Sequence, residues 1–223
     1  MNLSANRKLQ VLQLRNSFLR IFPCFAEIGE TLQLLRRVNQ LRSEGWVGPP
    51  PYLIKRAMLK AEALRIGAST FIETGTYMGD TLWFMRNTCK NLISIEVQPR
   101  LAEIARSRFR NIPQVEIVTG DSAVELKRVV GAIQGPCLFW LDGHYSAGMT
   151  GRGLKDCPIH EELTAIAQGS QYAFSILIDD ARCFGTDPAY PSMEEMKNIS
   201  TRIFPTHAFE VWNDVIHIKP PPA

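Results

Sequence analysis

The 223 residues lack the marks of a disulfide framework or a zinc site. The five cysteines (Cys24, Cys89, Cys137, Cys157 and Cys183) are scattered, odd in number and never spaced as CxxC. Thiols used this way fit a reducing cytosol. Long apolar runs are also missing, and none approaches the roughly 18 residues that a bilayer-spanning helix needs. The N-terminal apolar stretch is broken by Arg15 and Arg20, unlike a signal peptide. A soluble, unsecreted, cytoplasmic chain is the expectation. There is no internal repeat and no low-complexity tract, only the short tail "PPPA". The sequence "HEEL" at His160 is not the HExxH pattern of a metalloprotease.

What is present is the composition of a globular core, with 45% apolar and 21% charged residues. The length suits one full domain with an element or two appended. A net charge of +3 conceals an asymmetry: Met1 to Lys60 carries ten Lys/Arg against three acids, so the remainder balances to about −4. A basic helical segment can face a membrane, an acidic partner or nucleic acid, but a solvated face is the commoner use of such charge. Between Leu9 and Leu41 the apolar residues recur at helical spacing and are interrupted at Pro23, which predicts two amphipathic helices. "EGWVGPPPY" breaks the pattern, and Gly45 to Pro51 marks the boundary between an N-terminal helical extension (1–48) and the main domain (49–223). Leu53 to Leu64 predicts a further helix.

After Gly67 short apolar runs alternate with helical patterns: "TFIE", "LISIE", "VEIV", "CLFWL" and "FSILI". Near-continuous apolar strands separated by helices imply a parallel sheet covered on both faces, that is, a doubly wound α/β domain. "AFEVW" and "VIHI" flank Asn213 and Asp214 as an antiparallel hairpin would, giving a seven-stranded sheet with a reversed end. In such sheets ligands sit beyond the carboxyl ends of the strands, where strand order reverses. The residues there are Glu73 with "TGTYMGDT", Glu96, "GDS" at 120–122, "DGHYS" at 142–146, and the pair Asp179 and Asp180. Gly75 and Gly79 permit a tight turn and close ligand approach. Tyr77 at the second glycine position excludes the G-x-G-x-x-G fingerprint, so a dinucleotide is poorly served. Glu96 ends the next strand, where an acid accepts hydrogen bonds from ribose hydroxyls. Together these features point to an adenosine-containing ligand.

Acid-x-Gly-x-x-x-Gly after the first strand, an acid after the second and "GDS" after the third resemble the class I S-adenosylmethionine-dependent methyltransferases over about Leu53 to Ile218. "ETGTYMGDT" and the Asp residues after strands four and five resemble, within that class, the metal-dependent O-methyltransferases of the catechol and macrolide-sugar type. The resemblance implies a Rossmann-like fold and S-adenosylmethionine as cofactor. Glu73, Gly75 and Tyr77, with Gly79, would surround the methionine moiety. Glu96 would hold the ribose, Asp121 and Ser122 would border the adenine, and Asp142 would close the cofactor site. Plainer roles stand beside these: Glu73 organising the turn, Tyr77 packing, and Asp121 capping a helix that begins near Ala123.

Three carboxylates at adjacent strand ends repel one another unless a cation or protons compensate them. All-oxygen ligation suits a hard ion, and the resemblance places Mg²⁺ on Asp142, Asp179 and Asp180. Such a metal would chelate a substrate hydroxyl and lower its pKa. His144, two residues beyond Asp142, is the candidate base, with metal ligation or a loop hydrogen bond as its other roles. The glycine-rich stretch from Gly143 to Gly153 reads as a lid or substrate loop, in which Arg152 and Lys155 would meet an anionic substrate. "SMEE" from Ser192 has the form of a capping box, and His207 and His217 read as structural.

The expected function is divalent-metal-assisted O-methylation of a small hydroxylated molecule, a sugar or a natural-product intermediate. Two alternatives remain: a metal-independent N- or carboxyl-methyltransferase, and a non-catalytic binding protein acting through its basic helices. Those helices would cover the active site or make a homodimer contact, with membrane contact less favoured and nucleic acid disfavoured.

Overall fold

A computed structural model describes residues 50–143 and 157–221. The two helices expected between Leu9 and Leu41, His144 and most of the glycine-rich stretch, including Arg152 and Lys155, lie outside the described residues. Helix α1 (Tyr52–Arg65) follows Pro51 directly. It leads into strand β1 (Thr70–Thr74), helix α2 (Asp80–Met85), β2 (Asn91–Glu96), α3 (Pro99–Phe109), β3 (Val115–Thr119), α4 (Ser122–Gly131) and β4 (Cys137–Leu141). Helix α5 (Ile159–Gly169), β5 (Phe174–Ile178), a 3₁₀ turn at Ala181–Cys183, α6 (Met193–Ile203), β6 (Ala208–Trp212) and β7 (Val215–Lys219) complete it.

The seven strands form one sheet in the order β3-β2-β1-β4-β5-β7-β6. Five are parallel neighbours and β7 runs antiparallel to both β5 and β6. This is the doubly wound α/β architecture with a terminal hairpin that the apolar pattern predicts. Every residue of β1 and β4 is buried, because each strand has a helix layer on both sides. The alternation of a strand is hidden inside these continuous runs. Phe71, Leu138 and Trp140 face one core with Leu59 of α1, Leu82 of α2 and Phe109 of α3. Ile72, Phe139 and Leu141 face the other core, with Leu126 of α4, Leu163 of α5 and Met196 of α6. Each fully buried side chain of this size contributes roughly 1.5–3 kcal/mol relative to exposure.

Local chemistry sets the element ends. Asp121 caps α4, its side chain accepting from the Ala123 N–H at 2.9 Å. Ser192 and Glu195 form the reciprocal capping box of α6. Asn213 and Asp214 both adopt positive φ between the paired Trp212 and Val215, the two-residue turn whose twist suits a hairpin. Pro158 stands at the N-cap of α5, one position before the helix. His217 is buried and stacks on Trp212, and His207 stacks on Phe174, so both pack within the fold. Among the described residues no helix is long and apolar enough to cross a membrane.

Candidate active site

Winding reverses between β1 and β4, which are sheet neighbours, so the crevice of an open α/β sheet falls at their carboxyl ends. There the Asp142 N–H donates to the Thr74 carbonyl at 3.1 Å, and the chain after β1 turns at Gly75 with φ +85°. A Cβ at Gly75 would lie 2.4 Å from the Asp142 carbonyl oxygen. Glycine is therefore required by the approach of two strand ends as much as by any ligand. Gly79, at the N-cap of α2, is similarly pressed by Phe109, where a Cβ would lie 2.6 Å from the ring.

Glu96 closes this loop from the β2 side. Its carboxylate accepts from the Tyr77 N–H at 2.8 Å and from the Gln98 N–H at 2.9 Å. Burial pushes its pKa up, and these backbone donors pull against that. Tyr77 itself takes a positive φ and leaves its ring partly exposed at the edge of the crevice. Glu73 points into the protein, where Ser94 Oγ donates to it at 2.8 Å and burial pushes its pKa to about 8. It is a neutral acid near pH 7, tied to β2 through Ser94, and so organises the turn. Ser122 is buried at the start of α4, beside the capping Asp121. The structure thus brings Glu73, Gly75, Tyr77, Gly79 and Glu96 into one loop system.

The acceptor side differs from the expected ligand set. Among the described residues, carboxylate oxygens of Asp179, Asp180 and Asp214 lie within 4.8 Å of one another. Asp142 stands outside that group, its Oδ2 accepting from the Tyr52 hydroxyl at 2.8 Å. Burial, then the charge of Asp179, raises the Asp142 pKa well above the carboxylate range, with Tyr52 opposing. Asp214 arrives from the β6–β7 turn. Its carboxylate also accepts from the Arg182 N–H at 2.9 Å, and the Arg182 guanidinium bridges Asp214 and Asp180. Asp180 is held at φ +56°.

At the centre of the three acids is the ammonium of Lys55. Its Nζ bonds Asp179 Oδ1 and lies 3.4 Å from Asp180 Oδ1 and 3.6 Å from Asp214 Oδ2, with the side chain 4% exposed. Burial works against charge on Lys55, but the three carboxylates outweigh it and raise its pKa. The donor set is chemically right for a hard cation. Its position is not, since a divalent ion at 2.0–2.6 Å from these oxygens would sit against the ammonium that already bonds them. The arrangement with Lys55 in place does not fit a divalent metal.

Tyr52 and Lys55, three apart on one face of α1, were not singled out by sequence. A lysine among the apolar positions of an amphipathic helix ("YLIKRAML") is the signal that could have found them. Glu162 was missed as well. It is fully buried, and its carboxyl and Thr74 Oγ1 both lie against Gly143.

No family model matches the sequence, and a search of curated proteins finds no match. Solved structures with the same architecture include methyltransferases, some of them bound to S-adenosylmethionine or S-adenosylhomocysteine. An O-methyltransferase from Bacillus cereus in complex with S-adenosylhomocysteine is 15% identical, covering 84% of this chain and 90% of its own, with a TM-score of 0.54. The O-methyltransferase TomG from Streptomyces achromogenes, involved in tomaymycin synthesis and in complex with S-adenosylmethionine, is 18% identical over 83% and 87%, with a TM-score of 0.53. The N-methyltransferase NodS from Bradyrhizobium japonicum WM9 is 14% identical over 76% and 96%, with a TM-score of 0.52. These likenesses establish the fold of class I methyltransferases.

Proposed function

We propose that the protein transfers a methyl group from S-adenosylmethionine to a hydroxyl of a small molecule, a sugar or a natural-product intermediate. The observation that supports this best is Glu96, whose carboxylate braces the Gly75–Tyr77 turn at the switch point of the sheet. The acid cluster sits further along the same edge, beyond β5. When bound, the cofactor supplies an electrophilic methyl on a sulfonium. Glu96 takes the ribose hydroxyls, Asp121 and Ser122 border the adenine, and Gly75, Tyr77 and Gly79 with Glu73 behind them shape the methionyl end. Asp142 lies between cofactor and acceptor, and Asp180, the more exposed of the paired acids, faces the acceptor. His144, two positions on from Asp142, takes the proton of the hydroxyl. Holding the two reactants in line and excluding water carries most of the rate.

Divalent-metal assistance on Asp142, Asp179 and Asp180, expected from the sequence, is not part of this proposal, because the Lys55 ammonium stands among those acids. A second reading is methyl transfer to nitrogen, to which an N-methyltransferase of the same fold lends support. Calorimetry with S-adenosylhomocysteine tests the core of the proposal: the wild type binds, and Glu96→Ala weakens binding at least about tenfold by removing the ribose acceptor. A wild-type protein that binds none of this ligand would overturn it.

A further inference from the structure

We infer that Lys55 is a built-in substitute for the divalent ion, so that the acid cluster works without metal. The inference rests on the methyl-transfer reading for its function, but its geometry stands independently. Lys55 reaches Asp179, Asp180 and Asp214 at once from α1, and it is almost completely buried. Those three acids come from the end of β5 and the β6–β7 turn, and Lys55 is the buried cation that contacts all three against their mutual repulsion. Its ammonium hydrogen-bonds Asp179 and Asp180 and pairs with Asp214 at 3.6 Å, so its charge is committed to this cluster. Lys55 is therefore a positioning residue and does not bind the acceptor itself. The Arg182 guanidinium supplies the outer half of the compensation by bridging Asp180 and Asp214. Asp142, which a metal would draw into the same shell, is instead held by the Tyr52 hydroxyl, one helical turn before Lys55 on the same face. One helix face thus performs both tasks: its phenol fixes the acid after β4 and its ammonium fixes the acids after β5.

The test is a Mn²⁺ titration of the full chain, followed by the electron paramagnetic resonance signal of free Mn²⁺, with S-adenosylhomocysteine calorimetry on the same sample. The wild type is expected to take up no Mn²⁺ at this cluster, so that its titration overlays that of Asp179→Asn. Lys55→Met keeps the stem and removes the charge, and is expected to gain Mn²⁺ affinity at least about tenfold, with the gain lost again when Asp179→Asn is added. Lys55→Arg keeps a cation and is expected to behave as wild type. Stoichiometric Mn²⁺ uptake by the wild type that Asp179→Asn abolishes overturns the inference, as does a folded Lys55→Met that gains no affinity. Should Lys55→Met fail to fold, the wild-type titration decides by itself. Absence of S-adenosylhomocysteine binding would instead remove the methyl-transfer reading and leave the Mn²⁺ result to judge Lys55 alone.

Discussion

Glu162 is a fully buried acid in the first turn of α5. Burial is the chief cause of its pKa rising from 4.5 to about 7. The native state therefore keeps a proton that the unfolded chain releases between those two values, and stability falls as pH rises through that window before levelling off. A shift of this size corresponds to about 3 kcal/mol lost by pH 8. Glu162→Gln, which cannot ionise, is expected to be more stable than the wild type by about that amount at pH 8 and nearly equal to it at pH 4. Urea midpoints at the two pH values measure this, and parallel curves would show that Glu162 is not the group responsible. Glu73 beneath the β1–α2 turn belongs to the same pattern of acids whose pKa is raised by burial.

At the scale of the elements, the β1–α2 turn is fixed by contact with the end of β4. Gly75→Ala would force a Cβ against the Asp142 carbonyl oxygen and strain a positive φ, with an expected loss of about 2 kcal/mol or more in a denaturant titration. Gly67→Ala is the matched comparison, since φ there is also positive but nothing lies within 4 Å, so about 1 kcal/mol should be lost. Equal losses at the two sites would refute the contact. The elements were readable because their signals are local: "CLFWL" and "FSILI" are too apolar to be anything but strands buried on both faces, and Asn213-Asp214 is a hairpin turn on its own chemistry. The "SMEE" capping box was readable for the same reason. Asp142, Asp179, Asp180, Glu96 and the turn glycines were found because strand ends follow once strands are known. Asp214 was not, because it reaches Asp180 only when β7 inserts beside β5, a fact of sheet order and not of spacing. Tyr52 and Lys55 escaped notice for a related reason. A helix pattern shows which residues face inward, but the strand ends that α1 lies over are decided by packing.

Considered whole, the molecule is one sheet with two cores, and its crevice belongs to the native state alone. Ligand that binds only the folded protein stabilises it by about 2.7 kcal/mol at a hundredfold excess over Kd. For a protein of this size that is an upward Tm shift of about 5–10 °C. A thermal scan with S-adenosylhomocysteine should show it in the wild type and a smaller shift in Glu96→Ala at the same concentration, whereas an unchanged wild-type Tm would argue against a preformed cofactor crevice. The contact of Lys55 with Asp214 also sets an order in time. The β1–α2 turn and its Glu96 brace are complete once residues 52–143 have emerged from the ribosome, but the acid cluster has to wait several seconds more, until the last hairpin is synthesised and slips in beside β5. A nascent or prematurely ended chain can thus hold the turn without the acid cluster, which assembles only as the final strand pair brings Asp214 to Lys55 of α1.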